Sequence, residues 1–179
     1  MNKKVKTVLN DKNLNEASKI LKLHVSNENQ MTQLARILAP LLPQTGVLLI
    51  NGIMGSGKTF LCRNFIQAQQ KNENKYVEDI PSPTFTLVQT YSFENSEVWH
   101  CDFYRIKTAS ELLELGLEEA FENALCLIEW PKGLDNLEIF DVANLEIKTG
   151  QNISERELIF FSKSEKWKAF AKKFESIIF

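Results

Sequence analysis

Cysteine is scarce and scattered in this chain. The three residues, Cys62, Cys101 and Cys126, are odd in number and never stand in C-x-x-C spacing. Neither a disulfide framework nor a zinc site is indicated, and a reducing cytoplasm is the compartment that fits. Long apolar runs are also missing. No stretch approaches membrane-spanning length, and the Lys- and Asn-rich start, Met1 to Lys12, leads into no apolar run. Neither a membrane partner nor an export signal is expected. A surplus of one charge is lacking too: 21 Lys and Arg against 23 Asp and Glu give a net charge of −2. That balance argues against a chain that grips DNA or RNA by itself. Internal repeats and linkers are absent. What remains, 179 residues with 44% hydrophobic and 25% charged, is the composition of one soluble domain with a substantial core.

The informative stretch is Gly52-Ile53-Met54-Gly55-Ser56-Gly57-Lys58-Thr59, which fits G-x-x-x-x-G-K-S/T, the phosphate-binding P-loop. Its flanks fit as well. Val47 to Ile50 is a short apolar run that reads as a buried strand, and Phe60 to Gln70 reads as a helix. Glycines in such a loop turn successive N–H groups inward and form an anion nest at the positive end of the helix. Lys58 is expected to reach β- and γ-phosphate oxygens, and the Thr59 hydroxyl to ligate the Mg2+ that bridges them. The nucleotide-binding set is therefore Gly52, Gly55, Ser56, Gly57, Lys58, Thr59 and the adjoining Phe60. The guanine-reading N/T-K-x-D motif is absent, which favours ATP.

Elsewhere the chain alternates strand and helix. Residues 1–21 read as a polar leader with a hint of one helical face, and 22–179 as a single P-loop domain. Leu21 to Val25 reads as a strand, followed by a helix capped at Ser26-Asn27 and carrying Met31, Leu34, Ala35 and Leu38 on one face. Gln69 to Asn74 reads as a surface break. The prolines of Ile80-Pro81-Ser82-Pro83-Thr84 hold that loop extended, as a nucleotide-sensing switch or a plain connector. Phe85 to Phe93 and Val98 to Phe103 read as a hairpin, and two short helices meet at Gly116. Leu125 to Ile128 reads as a central strand, and Val142 to Lys148 with Glu157 to Phe161 as a last hairpin. Ser164 to Ile178 reads as an amphipathic helix buried through Trp167, Phe170, Ala171 and Phe174. The expected class is α/β, a P-loop NTPase domain with a mixed central sheet flanked by helices.

A P-loop needs a second acidic group at the tip of a neighbouring strand to hold Mg2+ or orient water. Asp102, after Val98 to Cys101, and Glu129, after Leu125 to Ile128, both qualify. His100, read as lying on the opposite strand face from Asp102, is expected to be a packed, hydrogen-bonded histidine. Arg105 and Arg156 are candidates for phosphate contact.

Together these residues resemble one bacterial family, the small P-loop ATPases of tRNA threonylcarbamoyladenosine biosynthesis, the TsaE (formerly YjeE) type. The resemblance spans roughly residues 22 to 161. It is carried by Gly52 to Thr59 with Arg63, Ser82-Pro83-Thr84-Phe85-Thr86-Leu87 with Tyr91, His100-Cys101-Asp102-Phe103-Tyr104-Arg105, Glu111-Leu112, Leu115-Gly116 and Ile128-Glu129-Trp130-Pro131. It implies slow ATP hydrolysis that lets threonylcarbamoyl-transferring partners of the TsaD and TsaB type turn over, with tRNA served indirectly. By position it implies Lys58 and Thr59 for phosphate and Mg2+, Glu129 as a Mg2+ ligand, and Asp102 assisting hydrolysis or ligating the metal through water. Glu28 and Arg156 match positions near the nucleotide. Ile53 and Phe60 depart from the Asp and the small residue or Thr usual in the family.

Two other classes share the P-loop and the size. A small-molecule kinase would need an arginine cluster or lid, and only Arg63, Arg105 and Arg156 follow the P-loop. A binding module switched by ATP without hydrolysis would tolerate loss of Glu129.

Overall fold

The computed structural model describes residues 6–8, 17–134 and 138–178. Of the leader expected over 1–21, residues 1–5 and 9–16 lie outside the described residues. The remainder holds β1 (Lys6–Val8) and the start of β2 (Ser18–Val25).

Chain order continues with α1 (Glu28–Leu38), a 3-10 turn over Ala39–Leu41, β3 (Gly46–Asn51) and α2 (Lys58–Asn72). Next come β4 (Val88–Ser92), β5 (Glu97–Asp102), α3 (Ala109–Leu113), α4 (Leu117–Asn123) and β6 (Leu125–Glu129). β7 (Glu138–Phe140), β8 (Val142–Thr149), β9 (Arg156–Ser162) and α5 (Glu165–Ile178) complete it. Seven strands form one sheet in the order β2-β9-β8-β3-β6-β5-β4, while β1 and β7 pair separately and antiparallel. The middle of the large sheet is parallel: β8 with β3, β3 with β6, and β6 with β5. Its flanks are antiparallel, formed by the hairpins β4–β5 and β8–β9, with β2 added along the outer edge of β9. The mixed sheet expected from the sequence is what forms.

β3 shows why its sequence is apolar throughout. Leu48 and Ile50 enter a core with α1, α2 and α5, including Leu38, Phe65, Trp167 and Phe170. Val47 and Leu49 enter a second core on the other face, with Phe103, Leu112, Leu117 and Phe121. A strand covered on both faces has no polar alternation to display. Each of these side chains contributes roughly 1.5–3 kcal/mol by leaving water. α1 starts where expected, with Asn27 Oδ1 accepting from the Gln30 N–H at 3.0 Å.

Two expectations are corrected. Polar Gln69 to Asn72 stays helical in α2, because Gln and Lys are good helix formers and Gln70 is buried, its Nε2 donating to Glu78 Oε1 at 2.7 Å. The strand expected from Phe85 begins only at Val88. Pro83 O instead accepts from Leu87 N at 2.7 Å, and Leu87 takes φ +64°, so residues 83–86 turn and leave Phe85 85% exposed.

Candidate active site

Because β3, β5 and β6 run parallel, their C-terminal ends open on the same edge. β3 delivers the P-loop there. β6 and β5 deliver Glu129 and Asp102, which are direct cross-strand partners in the register. Gly57 precedes α2 with φ +102°, a left-handed conformation that suits glycine. Lys58 and Thr59 then fall in the first turn of the helix, facing the two acids.

The Lys58 ammonium donates to Gly52 O and Ile53 O, both at 2.9 Å, and sits 3.6 Å from the centre of the Trp130 ring. Burial pulls its pKa below the ordinary lysine value, with Glu129 and Asp102 pushing the other way. Thr59 Oγ1 donates to Glu129 Oε2 at 2.8 Å. The other Glu129 oxygen, Oε1, lies 2.8 Å from His100 Nε2. Both Glu129 and His100 are buried, at 1% and 0% exposure. Asp102 is held differently. Its Oδ2 accepts from Thr84 Oγ1 at 2.7 Å and from Ser82 Oγ at 3.4 Å, while Oδ1 accepts from Tyr104 N at 2.9 Å. The proline-braced loop is thereby tied to the strand-end acid.

The cleft over these groups has a volume of about 960 Å3. Gly55, Ser56, Gly57, Lys58, Thr59, Phe60, Asp102 and Glu129 all line it, as do Glu28 from the start of α1 and Arg156 from β9. Gly52 and the phosphate-contact candidate Arg105 are outside that lining. Arg156 does not point a free guanidinium into the cleft. Its Nε donates to Ser56 O at 2.8 Å and its Nη2 to Gly55 O at 3.2 Å, bracing the P-loop backbone. Arg105 stacks 5.0 Å from the centre of the Phe85 ring, away from these groups.

The donor set fits a nucleotide with its metal. Hydroxyl and carboxylate oxygens are the ligands Mg2+ prefers. Among the described residues, the buried Ser56 Oγ in the loop has no hydrogen-bond partner.

His100 corrects one expectation and adds a residue. Positions two apart on a strand share a face, so His100 lies on the same side as Asp102. Its hydrogen bond nevertheless goes to Glu129 on the neighbouring strand. Sequence reasoning missed that contact because it depends on β5 and β6 being neighbours in register. Trp130, directly after β6, takes φ +52°. It covers Lys58 and meets Tyr104 at 5.1 Å between ring centres.

The sheet order and the P-loop at the end of β3 define a P-loop NTPase fold. The crystal structure of Bacillus subtilis YdiB superposes on it with a TM-score of 0.67 at 21% identity, covering 91% of this chain and 98% of that one. The family is set by sequence: residues 25–158 match "Threonylcarbamoyl adenosine biosynthesis protein TsaE", and the chain belongs to that family. Curated relatives carry the name tRNA threonylcarbamoyladenosine biosynthesis protein TsaE. The one from Rickettsia felis is 39% identical over 78% of this chain and 85% of its own length. That from Haemophilus influenzae is 32% identical over 72% and 86%, and that from Bacillus subtilis 31% over 63% and 67%. No helix among the described residues is long and apolar enough to cross a membrane.

Proposed function

We propose that this chain is a Mg2+-dependent ATPase, with residues 22–179 as its catalytic domain. In this reading it acts in the cytoplasm as an accessory motor of tRNA threonylcarbamoyladenosine formation. It would support turnover of threonylcarbamoyl-transferring partners of the TsaD and TsaB type and reach tRNA only through them. The observation that carries the reading is the meeting of Thr59 and Glu129 at 2.8 Å beside Lys58, with Asp102 on the adjacent strand end.

Lys58 exchanges its two loop carbonyls for β- and γ-phosphate oxygens, and the backbone of Gly55 to Gly57 cradles the same phosphates. Thr59 and Glu129 would hold Mg2+, which would supply neutralisation of the phosphate charge. Asp102, held by Thr84 and Tyr104, orients the attacking water, so occupancy of the site is felt by the 82–87 loop. His100 is a positioning residue, fixing one Glu129 oxygen so that the other faces Thr59. Glu28 and Arg156 frame the nucleotide, the latter through the loop it braces.

The test is ATP hydrolysis with and without Mg2+, by the chain alone and with the transferring complex, for wild type and Glu129→Ala. Hydrolysis stimulated by the partners and lost in the variant, with ATP still bound, is expected. Partner function that survives in Glu129→Ala would instead favour an ATP-occupied switch that needs no hydrolysis. ATP-dependent phosphorylation of an added acceptor would favour a kinase.

A further inference from the structure

Behind the cleft, three buried side chains from three separate elements converge. Cys62 on α2, His100 on β5 and Glu129 at the end of β6 each bring one ligand atom within 4.8 Å of the other two. Cys62 and His100 are fully buried and Glu129 is 1% exposed. His100 Nδ1 has no hydrogen-bond partner among the described residues, although its ring is enclosed in protein. Neither Cys62 nor His100 lines the nucleotide cleft.

Sulfur, imidazole nitrogen and carboxylate oxygen together are the donors of zinc, whereas Mg2+ and Ca2+ take oxygen throughout. We infer that Cys62, His100 and Glu129 form a second cation site, selective for a thiophilic divalent ion of the Zn2+ class. Charge closes well there. One thiolate and one carboxylate neutralise the dication, and the imidazole enters uncharged, which is what a buried ion requires. The reaction balances without any redox partner: Zn2+ takes the place of the thiol proton, which leaves to solvent. Three protein ligands leave the fourth tetrahedral position open. Spacing along the chain gives no sign of such a site, because each ligand comes from a different element.

The consequence for activity rests on the ATPase reading above. Zinc would take the Glu129 oxygen that faces His100 and draw charge from the oxygen that faces Thr59, so zinc acts as an inhibitor by weakening the hold of the same carboxylate on Mg2+.

The experiment uses the full chain, stripped of metal and without nucleotide, titrated with Co2+ as a spectroscopic stand-in for Zn2+. A thiolate-to-cobalt charge-transfer band that saturates at one ion per chain, is erased by added Zn2+ and is lost in Cys62→Ala supports the site. Cys62→Ser, nearer the native volume, repeats the comparison, with circular dichroism verifying the fold of both. No band in wild type overturns the proposal. So does a band that persists in folded Cys62 variants, since Cys101 or Cys126 would then carry it. Hydrolysis is then assayed with Mg2+ and equimolar Zn2+. Inhibition of wild type that is lost in Cys62→Ala supports the shared carboxylate, and cobalt binding without inhibition overturns it. Absence of hydrolysis in every chain would refute the ATPase reading and leave the cobalt spectrum to decide the cation site alone.

Discussion

The P-loop glycines do different work, and replacing two of them by alanine separates that work. At Gly52 the backbone has φ +154°, and an added Cβ would sit 2.5 Å from Ser56 Oγ and 2.7 Å from the Ile147 carbonyl oxygen. Ile147 lies within β8, paired to its neighbours, so its carbonyl has nowhere to go. Backbone strain of about 1–3 kcal/mol adds to overpacking of about 1–3 kcal/mol, giving a loss of about 2–6 kcal/mol for Gly52→Ala. Gly55 has φ +75° and no atom within 4 Å of an added Cβ. Gly55→Ala therefore loses only the left-handed penalty of about 1–2 kcal/mol. At about 2–4 °C per kcal/mol for a domain of this size, Gly52→Ala melts at least about 4 °C below wild type and below Gly55→Ala. Nucleotide affinity follows the reverse order relative to stability, because Gly55 lines the cleft and Gly52 does not. Gly55→Ala stays folded and loses nucleotide. Urea denaturation and titration with a fluorescent nucleotide read the two effects. A Gly52→Ala chain as stable as wild type, or a Gly55→Ala chain that binds nucleotide normally, refutes the reasoning.

Arg156→Lys should weaken nucleotide binding about tenfold, the equivalent of one charge-assisted hydrogen bond of about 1.5 kcal/mol, since a lysine cannot brace the Gly55 and Ser56 carbonyls together; an unchanged Kd contradicts this. Burial pushes the Cys126 thiol up to about 12. Above the unfolded thiol value of about 8.5 the unfolded chain gives up a proton that the folded chain keeps, so stability falls with rising pH by about 1.4 kcal/mol per unit for that thiol. Comparing urea unfolding at about pH 8 and about pH 10, Cys126→Ala should show a fall smaller than wild type by about 2 kcal/mol, and identical falls would exclude this origin.

The P-loop was legible because its chemistry fixes both residue types and spacing, and β3 and β6 because burial on two faces leaves unbroken apolar runs. α5 was legible through the periodicity of Trp167, Phe170, Ala171 and Phe174. The start of β4 was not, because Phe85 and Leu87 alternate as a strand would, while the Pro83 to Leu87 hydrogen bond that turns the chain leaves no mark in hydropathy. Glu129 could be nominated from its place after an apolar strand. Its link to His100 could not, since no local pattern states which strands become neighbours. The same holds for Arg156, whose partners Gly55 and Ser56 lie about a hundred residues earlier in the chain.

The lysine of the P-loop is already fully engaged, by two carbonyls and the face of Trp130. A ligand recruits it by exchange. It must offer at least as many acceptors as it displaces, and compensate for uncovering an aromatic face. A single phosphate group offers one cluster of oxygens at one end of the loop, whereas a polyphosphate can reach the loop amides and the ammonium together. The resting bonds of Lys58 thus act as a threshold that discriminates by chain length of phosphate before any contact with the base is made.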